Sequence, residues 1–211
     1  MLIMKSYKVK AFSLIEMIVV FAVISILFTL LSAKLNKLTE FSHLNHCQTN
    51  LKTVFMGTQL FINDNDGYLP GPLVAGQFPS VGTFALAGSI EPYVETVLRS
   101  DGKRQIVKEM MCPSNRLEDV PQKDDFRLHY RTHIDKNSSR LFGYPYRHES
   151  QNVNVISSPS SFKFLRDISK LEFSANKNLP GWYHLLTDVP AHFGTDVNLL
   201  TFDGHIEPIQ L

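Results

Sequence analysis

The fold is decided by the stretch Lys-Ala-Phe-Ser-Leu-Ile-Glu at residues 10–16, which leads into an apolar run that reaches Leu31. Residues 12–33 are enough to cross the hydrocarbon core of a bilayer as one helix, because each helical residue adds about 1.5 Å. The one ionisable side chain in this span is Glu16. A carboxylate at the bilayer centre costs at least ~2.5 kcal/mol, and less near the interface, so Glu16 is expected to have a use and a partner.

A cation for Glu16 becomes available if the chain is cut before Phe12. The cut creates an α-amino group on Phe12, four residues from Glu16 and therefore one helical turn away. An acid placed in an otherwise apolar helix thus indicates a proteolytic step that supplies its counter-charge.

The N-terminal segment resembles the prepilin leader motif of bacterial type IV pilins and type II secretion pseudopilins. The resemblance is carried by Ala11, by Phe-Ser-Leu-Ile-Glu at residues 12–16 and by the long apolar run after them. It implies that the prepilin peptidase/N-methyltransferase cuts between Ala11 and Phe12 and methylates Phe12. The family usually has Gly before the cut, and Ala11 is small enough for a similar pocket, so we expect processing.

The same resemblance implies a structural role, as a subunit of a type IV pilus or a type II secretion pseudopilus, and no enzyme activity. Phe12 and Glu16 would set the register between subunits during assembly. The implied partners are the peptidase, other pilin or pseudopilin subunits, an inner-membrane assembly platform and the lipid bilayer.

The leader lysines predict the orientation in the membrane. Lys5, Lys8 and Lys10 lie on the short side of the apolar span, so the positive-inside rule puts residues 1–11 in the cytoplasm and everything after about Ala33 outside. The expected location is the bacterial inner membrane, with a single span, a periplasmic or extracellular C-terminal domain, and a filament after processing.

Two other interpretations of the N-terminus stay open. A secretory signal peptide also combines a basic region, an apolar stretch and a small-residue cut, but its apolar core of about 7–15 residues would not contain Glu16. The alternative function is an uncleaved membrane-anchored periplasmic binding domain that does not polymerise, and the peptidase motif separates it from the pilin interpretation.

Composition indicates one globular domain in addition to the N-terminal helix, since the chain has 211 residues of which 44% are hydrophobic. The formal net charge is +1. Removal of residues 1–11 takes away three lysines and leaves a slightly acidic chain. No cluster of Lys and Arg lies outside the leader, so no nucleic-acid partner is indicated.

A long helix is predicted because no proline or glycine occurs from Phe12 to Met56. In its second half, apolar residues recur every three or four positions, which predicts an amphipathic stripe with one face to bury. Turn-forming residues at 63–67 end it. We expect an α+β, pilin-like fold in which this helix packs on a C-terminal antiparallel β-sheet domain. The predicted segments are a leader at 1–11, a transmembrane or filament-core helix at 12–33, an amphipathic stalk helix at 34–66 and an extracytoplasmic β-rich domain at 67–211.

Several short elements are predicted in the middle of the chain, one of them a strand suggested by Phe162, Phe164 and Leu165. Ser89–Leu98 is expected to form a short helix, with Pro92 in its first turn. Residues 126–134 alternate apolar with basic side chains, which predicts a half-buried strand whose basic face, His129 included, is solvated. Residues 182–187 suggest a further strand.

The C-terminal residues predict a β-hairpin. Residues 197–202 and 205–210 flank Asp203-Gly204, a pair typical of a two-residue turn in which both positions tolerate positive φ. Pro208 cannot donate to a strand ladder, so the last strand is expected at an edge of the sheet.

The same tail carries a second resemblance. A large group of prepilin-like proteins has a His, nine residues, then Asp-Gly, commonly followed by another His, and a Cys-Pro pair midway along the chain. In this chain His192 is separated from Asp203-Gly204 by ten residues, His205 follows, and Cys112 precedes a proline.

The two cysteines, Cys47 and Cys112, would lie in an oxidising compartment if this topology holds. A disulfide between them and two reduced thiols packed as small apolar residues are the alternatives. Sequence alone does not decide, because it gives no Cα–Cα distance.

No metal, cofactor or catalytic site is expected. Pro190 interrupts a helix that could pair two histidines, and strand alternation points neighbouring side chains to opposite faces. No Gly-x-Ser-x-Gly occurs, and neither cysteine stands beside a histidine in a known catalytic spacing. The metal-ligating residue types considered near the C-terminus are His184, Asp188, His192, Asp196, Asp203 and His205.

Overall fold

The computed structural model of the chain describes residues 13–98, 102, 105–115, 128–132, 134–173, 186, 192 and 196–210. The chain divides into two compact units, Met1–Thr39 and Glu40–Leu211. The predicted cleavage residues Ala11 and Phe12 lie outside the described residues, as does the strand suggested at 182–187 apart from Leu186.

The long helix α1 runs from Leu14 to Asp64. It is the one helix among the described residues that is long and apolar enough to cross a membrane by length and composition. The large apolar side chains between Leu14 and Leu31 are all exposed, so none of them is buried by the residues that the structure describes. An exposed all-apolar surface of this length is typical of a segment whose solvent is lipid or other apolar helices.

The second half of α1 buries one stripe in the globular unit. Cys47, Leu51, Val54, Thr58 and Ile62, spaced three or four residues apart, are buried, while the intervening polar side chains are exposed or half-buried. Each fully buried aliphatic side chain contributes roughly 1.5–3 kcal/mol relative to an exposed one. The predicted amphipathic stripe is confirmed.

The helix ends in a Schellman-type cap. Asp66 adopts a positive φ of 52°, and the N–H of Gly67 donates to the carbonyl of Ile62 at 2.9 Å. This bond satisfies one of the carbonyls that every helix leaves without a partner in its last turn. The predicted stop at residues 63–67 is confirmed.

The globular unit contains a five-stranded antiparallel sheet. Its strand order is β1-β4-β5-β6-β7, and a separate two-stranded ribbon is formed by β2 and β3. The predicted α+β fold class, a long N-terminal helix with a C-terminal antiparallel sheet, is confirmed. The strands are β1 (Gly76–Gln77), β2 (Thr96–Leu98), β3 (Gln105–Val107), β4 (Tyr130–Arg131), β5 (Lys163–Asp167), β6 (Asp196–Thr201) and β7 (Ile206–Gln210). The short helices are α2 (Leu86–Ile90) and α3 (Lys136–Leu141).

Aromatic rings join the sheet to the helix in the main core. The ring centroids of Phe142 and Phe164 are 5.3 Å apart, and Phe202 lies edge-on to Phe164 at 5.8 Å. Phe55 of α1 contacts Phe202 with centroids 6.3 Å apart. Such offset and edge-to-face pairs add roughly 0.5–1.5 kcal/mol each beyond their buried area.

A disulfide links α1 to the segment between β3 and β4. Cys47 and Cys112 are both buried, with Cα atoms 4.9 Å apart and the sulfur atoms bonded. The structure therefore has the bonded pair rather than two separate thiols. The bond closes a loop with a sequence separation of 65 residues.

The short helix predicted at Ser89–Leu98 is misplaced. The helix α2 ends at Ile90 and is followed by a 3-10 turn at Glu91–Tyr93 and then by the strand β2. Pro92 is the second residue of this turn, and Val94 already has extended backbone angles. The buried Leu86, Ala87 and Ile90 fix the helix earlier in the chain than its capping pattern indicates.

The predicted solvent face of residues 126–134 is wrong in one respect. The strand β4 covers only Tyr130–Arg131, and His129 is as buried as its neighbours Leu128 and Tyr130. The Nδ1 atom of His129 accepts a hydrogen bond from the backbone N–H of Cys112 at 3.2 Å. The segment that carries the disulfide thus packs on the side of β4 that the alternation assigned to water.

The C-terminal hairpin forms, but with a longer turn than predicted. Thr201 donates its N–H to His205 at 2.9 Å, and Gly204 donates back to Thr201 at 3.0 Å. Phe202, Asp203 and Gly204 therefore form a three-residue loop in which only Gly204 has a positive φ, of 83°. The expectation that the last strand is an edge is confirmed, since β7 ends the strand order.

We expect removal of the disulfide to lower the free energy of unfolding by about 2–4 kcal/mol, because it constrains a long loop of the unfolded chain. Urea unfolding of the full chain in detergent micelles, followed by circular dichroism with and without reductant, measures this. Cys47→Ala combined with Cys112→Ala is the control, since reductant should not change its midpoint. Equal midpoints for the oxidised and reduced wild-type chain would contradict the prediction.

Candidate functional site

Glu16 caps the N-terminus of α1. Its Oε2 atom accepts a hydrogen bond from the backbone N–H of Ser13 at 2.7 Å. Ser13 directly precedes the helix and Glu16 is its third residue, so this is one half of a capping box. The bond satisfies one of the N–H groups that a helix leaves unpaired at its start.

Within the described part of the chain, the carboxylate of Glu16 lacks a cation. Among the described residues, no Lys, Arg or His side chain pairs with it, and its Oε1 atom accepts no hydrogen bond. The surrounding side chains, including Ile15, Met17 and Val20, are apolar and exposed. The capping bond therefore leaves the charge itself uncompensated once the apolar surface is covered.

The hydroxyl groups of the apolar span are satisfied within the helix. Ser25 donates to the carbonyl of Phe21, and Ser32 donates to that of Phe28, each at 2.8 Å. The hydroxyl of Thr29 also bonds to a main-chain carbonyl, at 2.8 Å. Since hydrocarbon offers no hydrogen bonds, a span whose other polar groups are paired internally makes Glu16 the exception.

His192 lies at the centre of a buried polar network. Its side chain is 0% exposed. Its Nε2 atom is 2.8 Å from the side-chain amide of Asn198 and 3.2 Å from Oδ2 of Asp167, and its Nδ1 atom is 3.2 Å from the hydroxyl of Ser114. Sequence reasoning singled out His192 but missed these three partners.

Asp167 is the acidic member of this network. Its Oδ2 atom also accepts the backbone N–H of Asn198 at 2.8 Å, so β5 and β6 are tied together beneath the sheet surface. Across the sheet Asp167 faces Tyr130, and burial, followed by the charges of Asp167 and Glu109, raises the pKa of Tyr130 well above its usual value. A buried carboxylate is stabilised only when donors surround it, and the backbone N–H of Asn198 is such a donor here.

The network does not form a metal centre. The sulfur atoms of Cys47 and Cys112 and a ring nitrogen of His192 lie within 4.8 Å of one another. The two sulfur atoms are bonded to each other, so no thiolate is available as a ligand. The arrangement instead packs a histidine against a disulfide, with Cys112 Sγ 3.8 Å from His192 Nε2.

Asp203 shapes the loop of the C-terminal hairpin. Its Oδ1 atom accepts the hydroxyl hydrogen of Thr201 at 2.6 Å and the backbone N–H of His205 at 3.1 Å. The hydrogen bond from Thr201, then that from His205, lowers the pKa of Asp203. The side chain of His205 is exposed, so only its backbone takes part.

The motif residues His192 and Asp203 are not brought together. They lie at opposite ends of β6, which at about 3.3 Å per residue separates them by a strand length of roughly 20 Å. The candidate ligands Asp196 and His205 are divided in the same way, while His184 and Asp188 lie outside the described residues. The two ends of the motif therefore have separate roles: His192 belongs to the buried polar network, and Asp203 shapes the hairpin loop.

Gly204 allows the hairpin loop to approach α1. A Cβ atom at this position would lie 2.9 Å from the ring of Phe55. Two requirements thus converge on Gly204: a positive φ and a close contact with the helix.

We expect Gly204→Ala to lower the free energy of unfolding by about 2–3 kcal/mol. Gly102→Ala is the matched control, because Gly102 also has a positive φ, of 65°, but nothing lies within 4 Å of its would-be Cβ. That control should lose only about 1 kcal/mol, from backbone strain alone. Urea unfolding of both full-length variants in micelles measures the difference, and equal losses would show that contact with Phe55 is not limiting.

Comparison with known proteins locates one match. The family model described as the prokaryotic N-terminal methylation motif matches residues 7–32. Comparison with curated proteins and with solved structures gives no match. The resemblance of the C-terminal motif to a group of prepilin-like proteins therefore stays a prediction. The methylation motif overlaps the start of an exposed apolar helix that is long enough to cross a membrane. The N-terminal resemblance is confirmed: the chain carries a prepilin methylation motif at residues 7–32, which supports a type IV pilin/pseudopilin-like protein.

Proposed function

We propose that the chain is a structural subunit that prepilin peptidase cuts between Ala11 and Phe12, that is methylated at Phe12, and that assembles into a type IV pilus or a type II secretion pseudopilus. The observation that carries the proposal is the methylation motif at residues 7–32, which includes this junction. The motif belongs to structural proteins, and this supports a subunit rather than an enzyme.

The uncompensated carboxylate of Glu16 supports the cleavage step. In a membrane or a filament core, its capping bond with Ser13 does not offset the loss of hydration. An α-amino group on Phe12 would offset it, and this group exists only after cleavage. In a filament the amine would come from a neighbouring subunit, so Glu16 would set the register between the two chains.

The exposed apolar half of α1 supports assembly. It can be covered by lipid before assembly and by the same segment of other subunits afterwards. Identical chains that pack through two different surfaces form an open helical array rather than a closed ring when the rotation does not close. The proposed partners are therefore other pilin-like subunits and an inner-membrane assembly platform.

The disulfide supports an orientation with the globular unit outside the cytoplasm. Structural disulfides persist in the periplasm and outside the cell, and are rare in the reducing cytosol. The buried Cys47–Cys112 bond lies in the unit that the leader lysines assign to the outer side. Within that unit we assign His192, Asp203 and Gly204 to folding, because each is engaged in local packing or hydrogen bonding.

N-terminal sequencing and intact mass of the membrane-extracted protein test the proposal. We expect loss of residues 1–11 and one added methyl group on Phe12. Ala11→Gly should be processed at least as well, whereas Ala11→Val adds bulk at the cut and should accumulate the uncut chain. A wild-type protein that keeps its leader would overturn the proposal.

That outcome would favour the second candidate, an uncleaved anchor for a periplasmic binding domain. The observation on its side is Ala11, which stands where the family usually has Gly.

Glu16→Gln distinguishes the charge of Glu16 from its capping role. The amide oxygen of Gln can still accept the Ser13 N–H, but it cannot neutralise an α-amine. We expect both Glu16→Gln and Glu16→Ala to insert into the membrane normally and to lose filament assembly, measured as filament yield after shearing and sedimentation. If Glu16→Gln assembled like the wild type while Glu16→Ala did not, capping rather than charge pairing would explain the residue.

A further inference from the structure

Two adjoining cavities lie beside α3 on the globular unit, away from the His192 network. The larger one, the basic cleft, has a volume of about 720 Å³, and the residues that matter in it are Lys136, Arg140, Tyr144, Arg147 and His148. The smaller one, the polar pocket, has a volume of about 380 Å³. Its lining combines amide and hydroxyl side chains, among them Asn137, Ser157, Ser158 and Ser161, with the apolar Leu141, Val155, Ile156 and Phe162. Asp135, Arg140 and Gln151 line both cavities.

The walls of the basic cleft are fixed by hydrogen bonds that backbone N–H groups donate. A capping box starts α3, in which Oδ1 of Asp135 accepts the N–H groups of Asn137 at 3.0 Å and Ser138 at 2.9 Å. The N–H of Gln151 donates to the carbonyl of Leu141 at 2.8 Å, which ties the far wall to the end of α3. The site is therefore formed before any ligand arrives, which lowers the entropy cost of binding.

A tight turn fixes the backbone at Arg147. Its N–H donates to the carbonyl of Tyr144 at 3.0 Å, and the N–H of Tyr144 donates to the carbonyl of His148 at 2.8 Å. Tyr146, at the turn position that usually requires Gly, has a φ of 61°. A bulky residue in this conformation persists only where the surrounding structure determines it.

The basic cleft carries an excess of positive charge. The cationic side chains of Lys136, Arg140 and Arg147 are exposed, and within the part of the chain that the structure describes, none of them pairs with a carboxylate. The carboxylate of Asp135 is engaged in capping α3. The whole chain has a formal net charge of only +1, so this excess is local.

Three features of the two cavities indicate which chemical groups a ligand needs in order to bind there. Arginine side chains bind carboxylate and phosphate groups through two parallel hydrogen bonds. The ring of Tyr144, 42% exposed, offers an apolar face beside them, and Arg147 lies over it at 5.6 Å. The polar pocket offers hydroxyls and amides, which suit a ligand rich in hydroxyl groups. Both volumes are in the range of small-molecule sites.

We propose that the basic cleft and the polar pocket together bind an acidic saccharide. Arg140 and Arg147 take its carboxylate or phosphate, Tyr144 contacts a sugar ring, and the amide and hydroxyl side chains of the polar pocket bind the hydroxyls of the adjoining unit. The activity needs no cleavage and no filament, so it goes beyond the structural role proposed above and stands or falls separately from it.

Calorimetric titration of the full chain in detergent micelles tests the proposal. The probes are a disaccharide that contains glucuronate, a sugar phosphate, the neutral disaccharide of the same size, and inorganic phosphate. We expect saturable binding of one or both acidic sugars, weakened by added salt, and at least tenfold weaker binding of the neutral disaccharide and of inorganic phosphate. Which acidic sugar binds more tightly identifies the anionic group.

Two double variants locate the site. Arg140→Gln with Arg147→Gln should weaken binding of the acidic sugar at least tenfold. Lys52→Gln with Lys163→Gln removes the same charge from exposed positions outside both cavities and should change binding less than twofold. In the unmodified chain, NMR shift changes on binding should map to the residues of the two cavities, which guards against a variant that fails to fold.

Three results would overturn the proposal: no binding of either acidic sugar, equal binding of acidic and neutral disaccharides, or equal losses in the two double variants. Inorganic phosphate that binds as tightly as the acidic sugars would replace the saccharide with a simple anion and overturn it as well.

Discussion

The packing of the globular unit depends on how α1 is fixed along its second half, and the Cys47–Cys112 disulfide is the covalent part of that contact. Polar side chains next to it set the register of the helix. The amide of Asn50 donates to the carbonyl of Met111 at 2.9 Å, and that of Gln48 donates to the side chain of Asn198 at 3.2 Å. An apolar stripe alone would tolerate a slide or a rotation, whereas these bonds are satisfied in only one placement.

The roles of two carboxylates, Glu16 and Asp167, can be predicted from the sequence to different degrees. Glu16 is conspicuous because it is alone in an apolar run, so its importance can be read from local sequence. Asp167 occupies a short strand of ordinary composition, and its partners His192 and Asn198 come from a different part of the chain. Ser114, which contacts the other ring nitrogen of His192, is more distant still. Burial of a polar side chain by remote segments leaves no local pattern.

The same distinction explains the other successes and failures. The helix stripe, its stop and the edge position of β7 follow from periodicity, turn formers and Pro208, which act within a few residues. The burial of His129 and the early position of α2 depend on what packs against them, the disulfide segment in one case and the core around Ile90 in the other. The three-residue hairpin loop follows from Thr201 and Asp203, whose side-chain bond favours a turn that Asp-Gly alone does not specify.

The sheet edge restricts how identical chains can associate. Along an antiparallel ladder, hydrogen-bonded residue pairs alternate with pairs that are not bonded. The pair Thr201–His205 is hydrogen-bonded, and counting along the register makes Asn198–Pro208 a pair that is not bonded. The nitrogen of Pro208 therefore faces away from β6. The outer edge of β7 therefore lacks a donor at its centre, and Glu207 beside it is charged and exposed. Both features oppose edge-to-edge pairing. The β7 edge therefore does not compete with the association through α1 that we propose.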